Sequence, residues 1–260
     1  MAQLFEQIKS YWSTRTEGYS EVNKKELEGM QRKAWLEVLQ EHFPQKDKRE
    51  IKILDIGTGP GFFTIILAEA GYQVTAVDYT EGMIQKAKEN VQKEAGNLIE
   101  RICFQRMDAQ NLTFENESFD VVISRNLTWN LEEPEKAYRE WIRVLKLGGV
   151  MMNFDANWYA YLYDEEKRQG YEQDRKNVEN EQLDDHYLCT DIETMENIAL
   201  QMPLSRISRP KWDMEILSQI GVEKAEMDTE IWKRVWSEEE CLNYGSTPMF
   251  MVCARKGQKK

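Results

Sequence analysis

The residues with the clearest chemical purpose lie between Asp55 and Gly61, in the order Asp-Ile-Gly-Thr-Gly-Pro-Gly. Three glycines at alternate positions let the backbone approach a ligand closely, because no Cβ holds the ligand away. A helix that begins near Pro60 directs free N–H groups and a partial positive charge at the same point. The Asp55 carboxylate would repel a pyrophosphate there and attract an ammonium or sulfonium group. We therefore expect a cationic ligand at this turn.

The spacing of the glycines separates this turn from the dinucleotide fingerprint. The fingerprint is G-x-G-x-x-G, whereas this chain has G-x-G-x-G, with Phe62 where the third glycine would stand. A nicotinamide-dependent oxidoreductase is therefore disfavoured. The sequence resembles the class I S-adenosylmethionine-dependent methyltransferases, especially the type 11 enzymes similar to those of ubiquinone and menaquinone biosynthesis. The resemblance is clear from Ile51 to Tyr159. It implies S-adenosyl-L-methionine as cofactor and S-adenosyl-L-homocysteine as product, and leaves the acceptor open.

Alternating strand and helix patterns surround the turn, and the strands are apolar and rich in β-branched residues. We expect an α/β fold with a Rossmann-like, doubly wound, seven-stranded sheet. The sheet should be mostly parallel with an antiparallel edge strand, and N-terminal helices and a helical cap insertion should accompany it. The predicted strands are Ile51–Ile56, Tyr72–Asp78, Arg101–Met107, Phe119–Ser124, Val150–Asp155, Val222–Ile231 and Pro248–Ala254, the last two as a hairpin.

Four segments follow from these patterns. Residues 1–48 are expected to form an N-terminal helical lid, and residues 49–155 the cofactor-binding core. Residues 156–208 interrupt the βα rhythm and are expected to form a substrate cap, although a surface excursion or an oligomer contact would also fit. Residues 209–260 return to the core.

The N-terminal segment contains a stretch from Tyr11 to Tyr19 that is aromatic and charged without a clear period. One interpretation is a surface loop whose rings pack on the core. The other is a lid in which Tyr11, Arg15 or Tyr19 closes over the cofactor, with Arg15 meeting the cofactor carboxylate or remaining solvated.

The resemblance also implies that acidic residues at strand ends bind the cofactor. Asp78 stands about 20 residues beyond the turn, a distance that suits a carboxylate accepting both ribose hydroxyls. Asp108 would meet the adenine amino group, and Met83 would flank the ring. The alternatives are that Asp78 caps a helix, that Asp108 is a solvated loop acid and that Met83 packs in the core. The complete predicted cofactor set is Tyr11, Arg15, Tyr19, Asp55, Gly57, Thr58, Gly59, Gly61, Asp78, Tyr79, Met83, Asp108, Ala109, Arg125 and Asn126.

Catalysis needs few groups, because a sulfonium methyl is already activated and must mainly be aligned with a nucleophile. The loop Arg125–Asn130 leaves the carboxyl end of a strand and is the expected meeting point of cofactor and acceptor. Candidates for a general base are Asp155, His186 and Tyr159. His186 lies beside two aspartates, so a metal ligand or a plain polar loop are alternatives to a base.

Aromatic residues are the candidates for binding the methyl acceptor. They are Trp129, Trp158, Tyr159 and Tyr163. Rings together with an acid such as Asp155 would suit a cationic or amine-bearing acceptor through cation–π attraction and charge pairing. The same rings could simply be core packing.

Composition excludes several other classes of partner. The chain has 260 residues with 34 Lys and Arg against 46 Asp and Glu, a net charge of −12 that disfavours nucleic acid. The segment Ser124–Leu127 also lacks the Asn-Pro-Pro-Tyr type of motif that the resembling base-methylating enzymes carry. There is no apolar run long enough for a membrane span, and none of the four cysteines forms a C-x-x-C pair.

We therefore expect a cytoplasmic protein, monomeric or homodimeric, with a small-molecule methyl acceptor, no metal, no membrane and no nucleic acid. The alternative is a non-catalytic protein that binds S-adenosylmethionine or a partner on the same scaffold.

Overall fold

Parallel strands at the centre of the chain bring the predicted ligand-binding residues to one edge of a sheet. The computed structural model describes residues 2–187 and 190–257, so Cys189 lies outside the described residues. Within these ranges seven strands form one sheet in the order β3-β2-β1-β4-β5-β7-β6. The strands are β1 (Lys52–Ile56), β2 (Gln73–Asp78), β3 (Ile102–Arg106), β4 (Phe119–Arg125), β5 (Leu145–Asp155), β6 (Lys224–Asp228) and β7 (Phe250–Arg255).

The topology confirms the predicted Rossmann-like fold. Strands β1 to β5 are parallel, and β7 lies antiparallel between β5 and β6. The strand order reverses between β1 and β4, where Ile56 pairs with Ser124. In an open α/β sheet, ligands bind at the carboxyl ends beside such a reversal. The loops that follow β1 and β4 therefore leave the sheet side by side at the expected ligand position.

Helices cover both faces of this sheet. On one face Trp35 packs edge-on against Phe63 and Phe154, with ring centroids 5.1 and 4.9 Å apart. On the other face Tyr138 and Trp141 are completely buried. The helices are α1 (Ala2–Glu28), α2 (Gln31–His42), α3 (Phe62–Glu69), α4 (Glu81–Ala95), α5 (Pro134–Val144), α6 (Glu165–Asn180), α7 (Ile192–Ala199), α8 (Lys211–Gln219), α9 (Trp232–Val235) and α10 (Glu238–Tyr244).

The N-terminal aromatic stretch is not the surface loop that one of its two interpretations gave. Residues Ala2–Glu28 form one continuous helix of 27 residues, which includes the whole aromatic stretch from Tyr11 to Tyr19. Positions 8, 12, 15, 19, 22 and 26 recur at three-and-four spacing, the period of one helix face. Several of these residues are charged or amphipathic, and their face borders cavities instead of an apolar core. A search for apolar periodicity therefore missed it.

The secondary structure of the C-terminal third also differs from the prediction. The predicted strand Val222–Ile231 is shorter, and α9 and α10 fill the connection from β6 to β7. Ser237 and Glu240 form a capping box at the start of α10. The Ser-x-x-Glu spacing was a readable signal for that helix. Strand β5 begins at Leu145, five residues before the predicted start at Val150.

A buried ionic network fastens the carboxyl edge of the sheet to α8. The Arg209 guanidinium donates to Asp155 Oδ2 at 2.5 Å and to Asp213 Oδ1 at 2.6 Å, and all three side chains are inaccessible to solvent. Asp155 also accepts from the Trp129 backbone N–H at 2.9 Å and from Trp158 Nε1 at 3.1 Å. The network thus positions the loops that follow β4 and β5.

Replacing Arg209 with Met should strongly destabilise the protein, because two carboxylates would remain buried without a counter-charge. We expect the free energy of unfolding to fall by about 3–5 kcal/mol. Urea denaturation at neutral pH measures it. The control is Arg234→Met, which breaks an exposed arginine–carboxylate pair with Glu41 and should cost no more than about 1 kcal/mol. Equal losses in the two variants would contradict this account of the network.

Candidate active site

A first cavity of about 880 Å³ opens at the carboxyl edge of the sheet. The loops after β1, β2, β3 and β4 form its walls, and α1 lies across it. Seven residues from the predicted cofactor set line it together, namely Gly57, Gly59, Asp78, Tyr79, Met83, Asp108 and Ala109. Tyr19, Arg125 and Asn126 line it as well. Ten of the fifteen predicted cofactor-binding residues therefore line this space.

The glycine turn packs closely against protein side chains, and its predicted close approach to a ligand stays a prediction. Gly57 and Gly59 have φ values of +69° and +52°, a conformation that other residues rarely adopt. A Cβ on Gly57 would lie 2.8 Å from the Leu127 side chain, and one on Gly59 would lie 3.4 Å from the Tyr19 ring. The turn is therefore packed between the β4 loop and α1, and a side chain at Gly57 would displace its neighbour.

The structure corrects the role predicted for Asp55. Its side chain lies behind the turn, where one carboxylate oxygen accepts from the hydroxyls of Thr58 and Thr64, each at 2.7 Å. Burial raises its pKa, and neither Asp55 nor Thr58 lines the first cavity. Asp55 therefore holds the turn in place from inside the protein, and the predicted direct attraction of a cationic ligand has no geometric support.

Gly61 was predicted to bind the cofactor, but its position in the structure does not support this contact. It has φ +97° at the N-terminus of α3, and a Cβ there would lie 3.2 Å from the Cβ of Ala87 on α4. Its glycine allows these two helices to pack closely. It does not line the cavity.

Asp78 occupies the strand-end position that the ribose prediction requires. Its two oxygens accept from the backbone N–H groups of Gly59, at 3.1 Å, and Thr80, at 2.8 Å. The cap interpretation therefore describes part of its bonding, while the side chain still borders the cavity. Burial raises the pKa of Asp78 to about 6, an effect that the two backbone donors oppose.

Helix α1 contributes a wall that sequence reasoning missed. Phe5, Ile8, Lys9 and Trp12 line the first cavity, and the Phe5 ring meets the Tyr79 ring edge-on with centroids 4.3 Å apart. No local motif marks these residues. They reach the site only because α1 lies across the carboxyl edge of the sheet.

A second cavity of about 1,070 Å³ adjoins the first. Four residues line both cavities: Trp12, Tyr19, Arg125 and Asn126. The predicted residues Tyr11, Arg15, Trp129, Trp158, Tyr159 and His186 line only the second one. Missed residues of its wall include Glu26, Tyr187, Trp236, Glu240 and Tyr244.

The junction of the two cavities is strained and incompletely hydrogen-bonded. Asn126 has φ +56°, which is uncommon for a residue other than glycine, and its N–H donates to the Phe154 carbonyl at 2.8 Å. Asn126 Oδ1 and Trp12 Nε1 are buried and have no hydrogen-bond partner among the described residues. Buried polar atoms are normally paired, so these two are positioned to bind a ligand.

An ion pair fixes the same junction to α1. The two terminal guanidinium nitrogens of Arg125, Nη1 and Nη2, donate to the Glu26 carboxylate at 2.6 and 3.0 Å. The guanidinium also lies 4.7 Å from the centroid of the Phe62 ring. Arg125 therefore joins the loop after β4 to the helix that covers both cavities.

Two further predictions fail on geometry. Asp155 is fully buried in the network with Arg209 and lines neither cavity, so it is not placed to take a proton from an acceptor. Tyr163 also lines neither cavity, because its hydroxyl donates to the Leu200 carbonyl at 2.9 Å and the Arg206 guanidinium lies over its ring. Its predicted contact with the acceptor is therefore not supported.

His186 is held between two side chains at the edge of the second cavity. Its Nε2 lies 2.8 Å from Glu239 Oε1, and its Nδ1 lies 3.0 Å from the Tyr244 hydroxyl. In the described part of the chain, the one group of three potential metal ligands is His42, Glu226 and Cys253, which excludes His186. Tyr159 is a weak candidate for a base, because burial raises its pKa well above the usual range.

Comparison with known proteins connects this geometry to a family. Residues 54–153 match the model of a methyltransferase domain. A demethylmenaquinone methyltransferase of Clavibacter sepedonicus is 38% identical over 98 residues, which cover 38% of each chain. The chain spans about two fifths of the length of the curated relatives it matches, between 38% and 44% for the first three.

Solved structures share the fold over most of the chain. A Methanococcus maripaludis protein assigned to the S-adenosyl-L-methionine-dependent methyltransferases has a TM-score of 0.62 at 21% identity, and the alignment covers 95% of this chain and 94% of that one. Phosphoethanolamine N-methyltransferase 2 of Haemonchus contortus, solved with S-adenosyl-L-methionine, has a TM-score of 0.59 at 21% identity, covering 86% and 52%.

In the described part of the chain, the helices are all too short or too polar to cross a membrane. The matched domain contains the glycine turn, the strand-end acids and the loop after β4 that surround the first cavity. Residues 54–153 are therefore a methyltransferase domain, similar over this region to demethylmenaquinone methyltransferases and a ubiquinone biosynthesis O-methyltransferase, and domains of this kind take S-adenosylmethionine as their cofactor.

Proposed function

We propose that the chain transfers a methyl group from S-adenosylmethionine to a small-molecule acceptor by in-line displacement. The observation that carries the proposal is the meeting of two cavities at Arg125 and Asn126. The first cavity is built from the methyltransferase domain, and the second has a separate wall of rings. A methyl group transferred in line must lie between its donor and its acceptor, as an opening between two such cavities allows.

The residues of the first cavity fit the cofactor. Gly57 and Gly59 line the cavity, so the backbone of the turn borders the space proposed for the cofactor. Asp78 would accept the ribose hydroxyls, and Asp108 would accept from the adenine amino group. Met83 supplies apolar surface for the ring. The bound cofactor supplies a sulfonium methyl that needs no further activation.

The methionine half would lie towards the second cavity. Arg15 lines that cavity and forms no ion pair among the described residues, so it is available for the cofactor carboxylate. Asn126 Oδ1 and Trp12 Nε1 are the buried polar atoms that the ligands would satisfy at the junction. Leaving such atoms without partners costs about 1–3 kcal/mol each, and bound ligands would remove that cost.

The protein groups have two further tasks. Helix α1 borders both cavities with Trp12 and Tyr19, so it excludes water from the path of the methyl group. His186 is the candidate base for an acceptor that arrives protonated, because its side chain lines the second cavity. Glu239 fixes one ring nitrogen of His186 and would stabilise the imidazolium.

The direct test is turnover. Purified protein and S-adenosylmethionine are screened against a library of amines, phenols, thiols and carboxylic acids, and released S-adenosylhomocysteine is measured. Release that depends on one acceptor class supports the proposal. Tight binding of S-adenosylhomocysteine without release for any class would support the non-catalytic alternative. Failure to bind it at all would overturn both.

Asp78→Ala should weaken the binding of S-adenosylhomocysteine about 10- to 100-fold, because a charged acceptor for two hydroxyls is lost. Isothermal titration calorimetry at pH 7.5 measures the change. Asp228→Ala is the matched control, since Asp228 also ends a strand but lines neither cavity. Unchanged affinity in the Asp78 variant would remove this residue from the ribose contact.

The affinity for S-adenosylhomocysteine should also fall in acid. Because the pKa of Asp78 is raised to about 6, its carboxylate becomes protonated below that pH and cannot accept from both hydroxyls. Binding should be constant from pH 8 to 7 and weaken by up to about tenfold per unit below pH 6. The Asp78→Asn variant retains Asp55 and every other acid, and should show a flat profile. A wild-type profile that is equally flat would contradict the assignment.

A further inference from the structure

The second cavity has a wall composed largely of aromatic rings. Tyr244 lies at the centre of one group of them, with ring centroids 5.2 Å from Trp158, 5.7 Å from Trp236 and 5.8 Å from Tyr187. All four residues line the cavity. The faces of such rings attract cations, and they also stack on flat neutral molecules. The charged groups of the cavity distinguish these two kinds of ligand.

Two carboxylates, Glu26 and Glu240, and two guanidinium groups, Arg15 and Arg125, line this cavity. Glu26 uses both of its oxygens to bind Arg125, so these two charges compensate each other. Glu240 is the additional carboxylate. It stands one helical turn before Tyr244 on α10, and the two residues therefore share a helix face. With Arg15 assigned to the cofactor carboxylate, the remaining three groups, Glu26, Arg125 and Glu240, together have one negative charge in excess.

The hydrogen bonds to the Glu240 carboxylate all go to one of its two oxygens. Gln31 Nε2 at 2.5 Å, the Ser237 N–H at 2.8 Å and the Ser237 hydroxyl at 3.1 Å all donate to Oε2. Oε1 has no hydrogen-bond partner among the described residues. Burial and the nearby charge of Glu26 raise the pKa of Glu240 to about 7. An adjacent cation would offset both effects, so this part of the cavity favours a positively charged ligand.

We infer that the methyl acceptor is an amine that enters the second cavity as an ammonium ion, with its charge on Glu240 and against the rings around Tyr244. This inference rests on the proposed methyltransferase function and narrows its acceptor class. Arg15 does not oppose it, because the cofactor carboxylate is the anion proposed for that residue. Asp155, the acid considered from the sequence, is replaced in this role by Glu240.

The proton and electron balance of the reaction fits this arrangement. The ammonium ion gives one proton to Glu240, which replaces His186 as the base for this class of acceptor. The nitrogen lone pair that is freed attacks the sulfonium methyl carbon. The new N–C bond forms as the C–S bond breaks, and that bond's electron pair stays on sulfur as S-adenosylhomocysteine. The product leaves as the N-methylated ammonium ion, and Glu240 returns its proton to solvent.

The test compares three probes of similar shape on the protein loaded with S-adenosylhomocysteine. They are 2-phenylethylamine, 2-phenylethanol and 3-phenylpropionate, which are cationic, neutral and anionic at pH 7.5. Quenching of tryptophan fluorescence reports binding, because Trp12, Trp129, Trp158 and Trp236 all line the cavity. We expect the amine to bind about tenfold more tightly than the alcohol, with the carboxylate weakest. Equal or tighter binding of either other probe overturns the inference, and this comparison needs no variant.

Glu240→Gln should reduce the affinity for the amine to that for the alcohol, while its affinity for S-adenosylhomocysteine and its melting temperature show that it is folded. The matched control is Glu238→Gln, an exposed residue on the same helix, which should keep the preference for the amine. A preference that survives in Glu240→Gln would overturn the role of this carboxylate.

Turnover separates failure of this inference from failure of the proposed function. Release of S-adenosylhomocysteine with amines but not phenols supports both. Release with phenols or thiols but not with amines overturns the acceptor class and leaves the methyltransferase function standing. Absence of turnover with every class, together with absence of cofactor binding, overturns the function itself.

Discussion

The ion pair between Arg125 and Glu26 is the constraint on which the rest of the site depends. Arg125 leaves the carboxyl end of β4, and Glu26 lies near the end of α1, so their two hydrogen bonds fix the helix across the edge of the sheet. The pair is nearly inaccessible to solvent, and removal of one partner would leave the other charge buried. This ion pair therefore determines the positions of Trp12 and Tyr19, which form part of the walls of both cavities.

Acidic side chains take different roles according to their burial and their partners. Asp55 and Asp155 are internal supports, the first for the glycine turn and the second for the loops after β4 and β5. Asp78 and Glu240 border the cavities, and each has a pKa raised towards neutrality by burial. A motif acid beside a ligand loop is therefore not automatically a ligand contact. Its hydrogen bonds decide whether it holds the loop or meets the ligand.

The fold and the glycine turn and strand-end residues of the first cavity could be predicted from the sequence, because that information is local. Glycines at alternate positions, acids at strand ends and apolar runs each occupy a few consecutive residues. The second cavity was only partly predictable, since Glu26, His186 and Tyr244 come from segments more than fifty residues apart and meet only in the folded chain. Asp55 shows the reverse case, in which the residue was identified correctly while its orientation required the coordinates.

The continuous course of α1 has an energetic consequence for the order of events at the site. Because Trp12 and Tyr19 border both cavities, any displacement of the helix that admits one ligand also alters the space for the other. If the first ligand to bind holds the helix in the position described here, the second ligand meets a cavity whose wall is already in place. Occupancy of the two cavities is thereby thermodynamically linked, and the linkage acts equally in both directions.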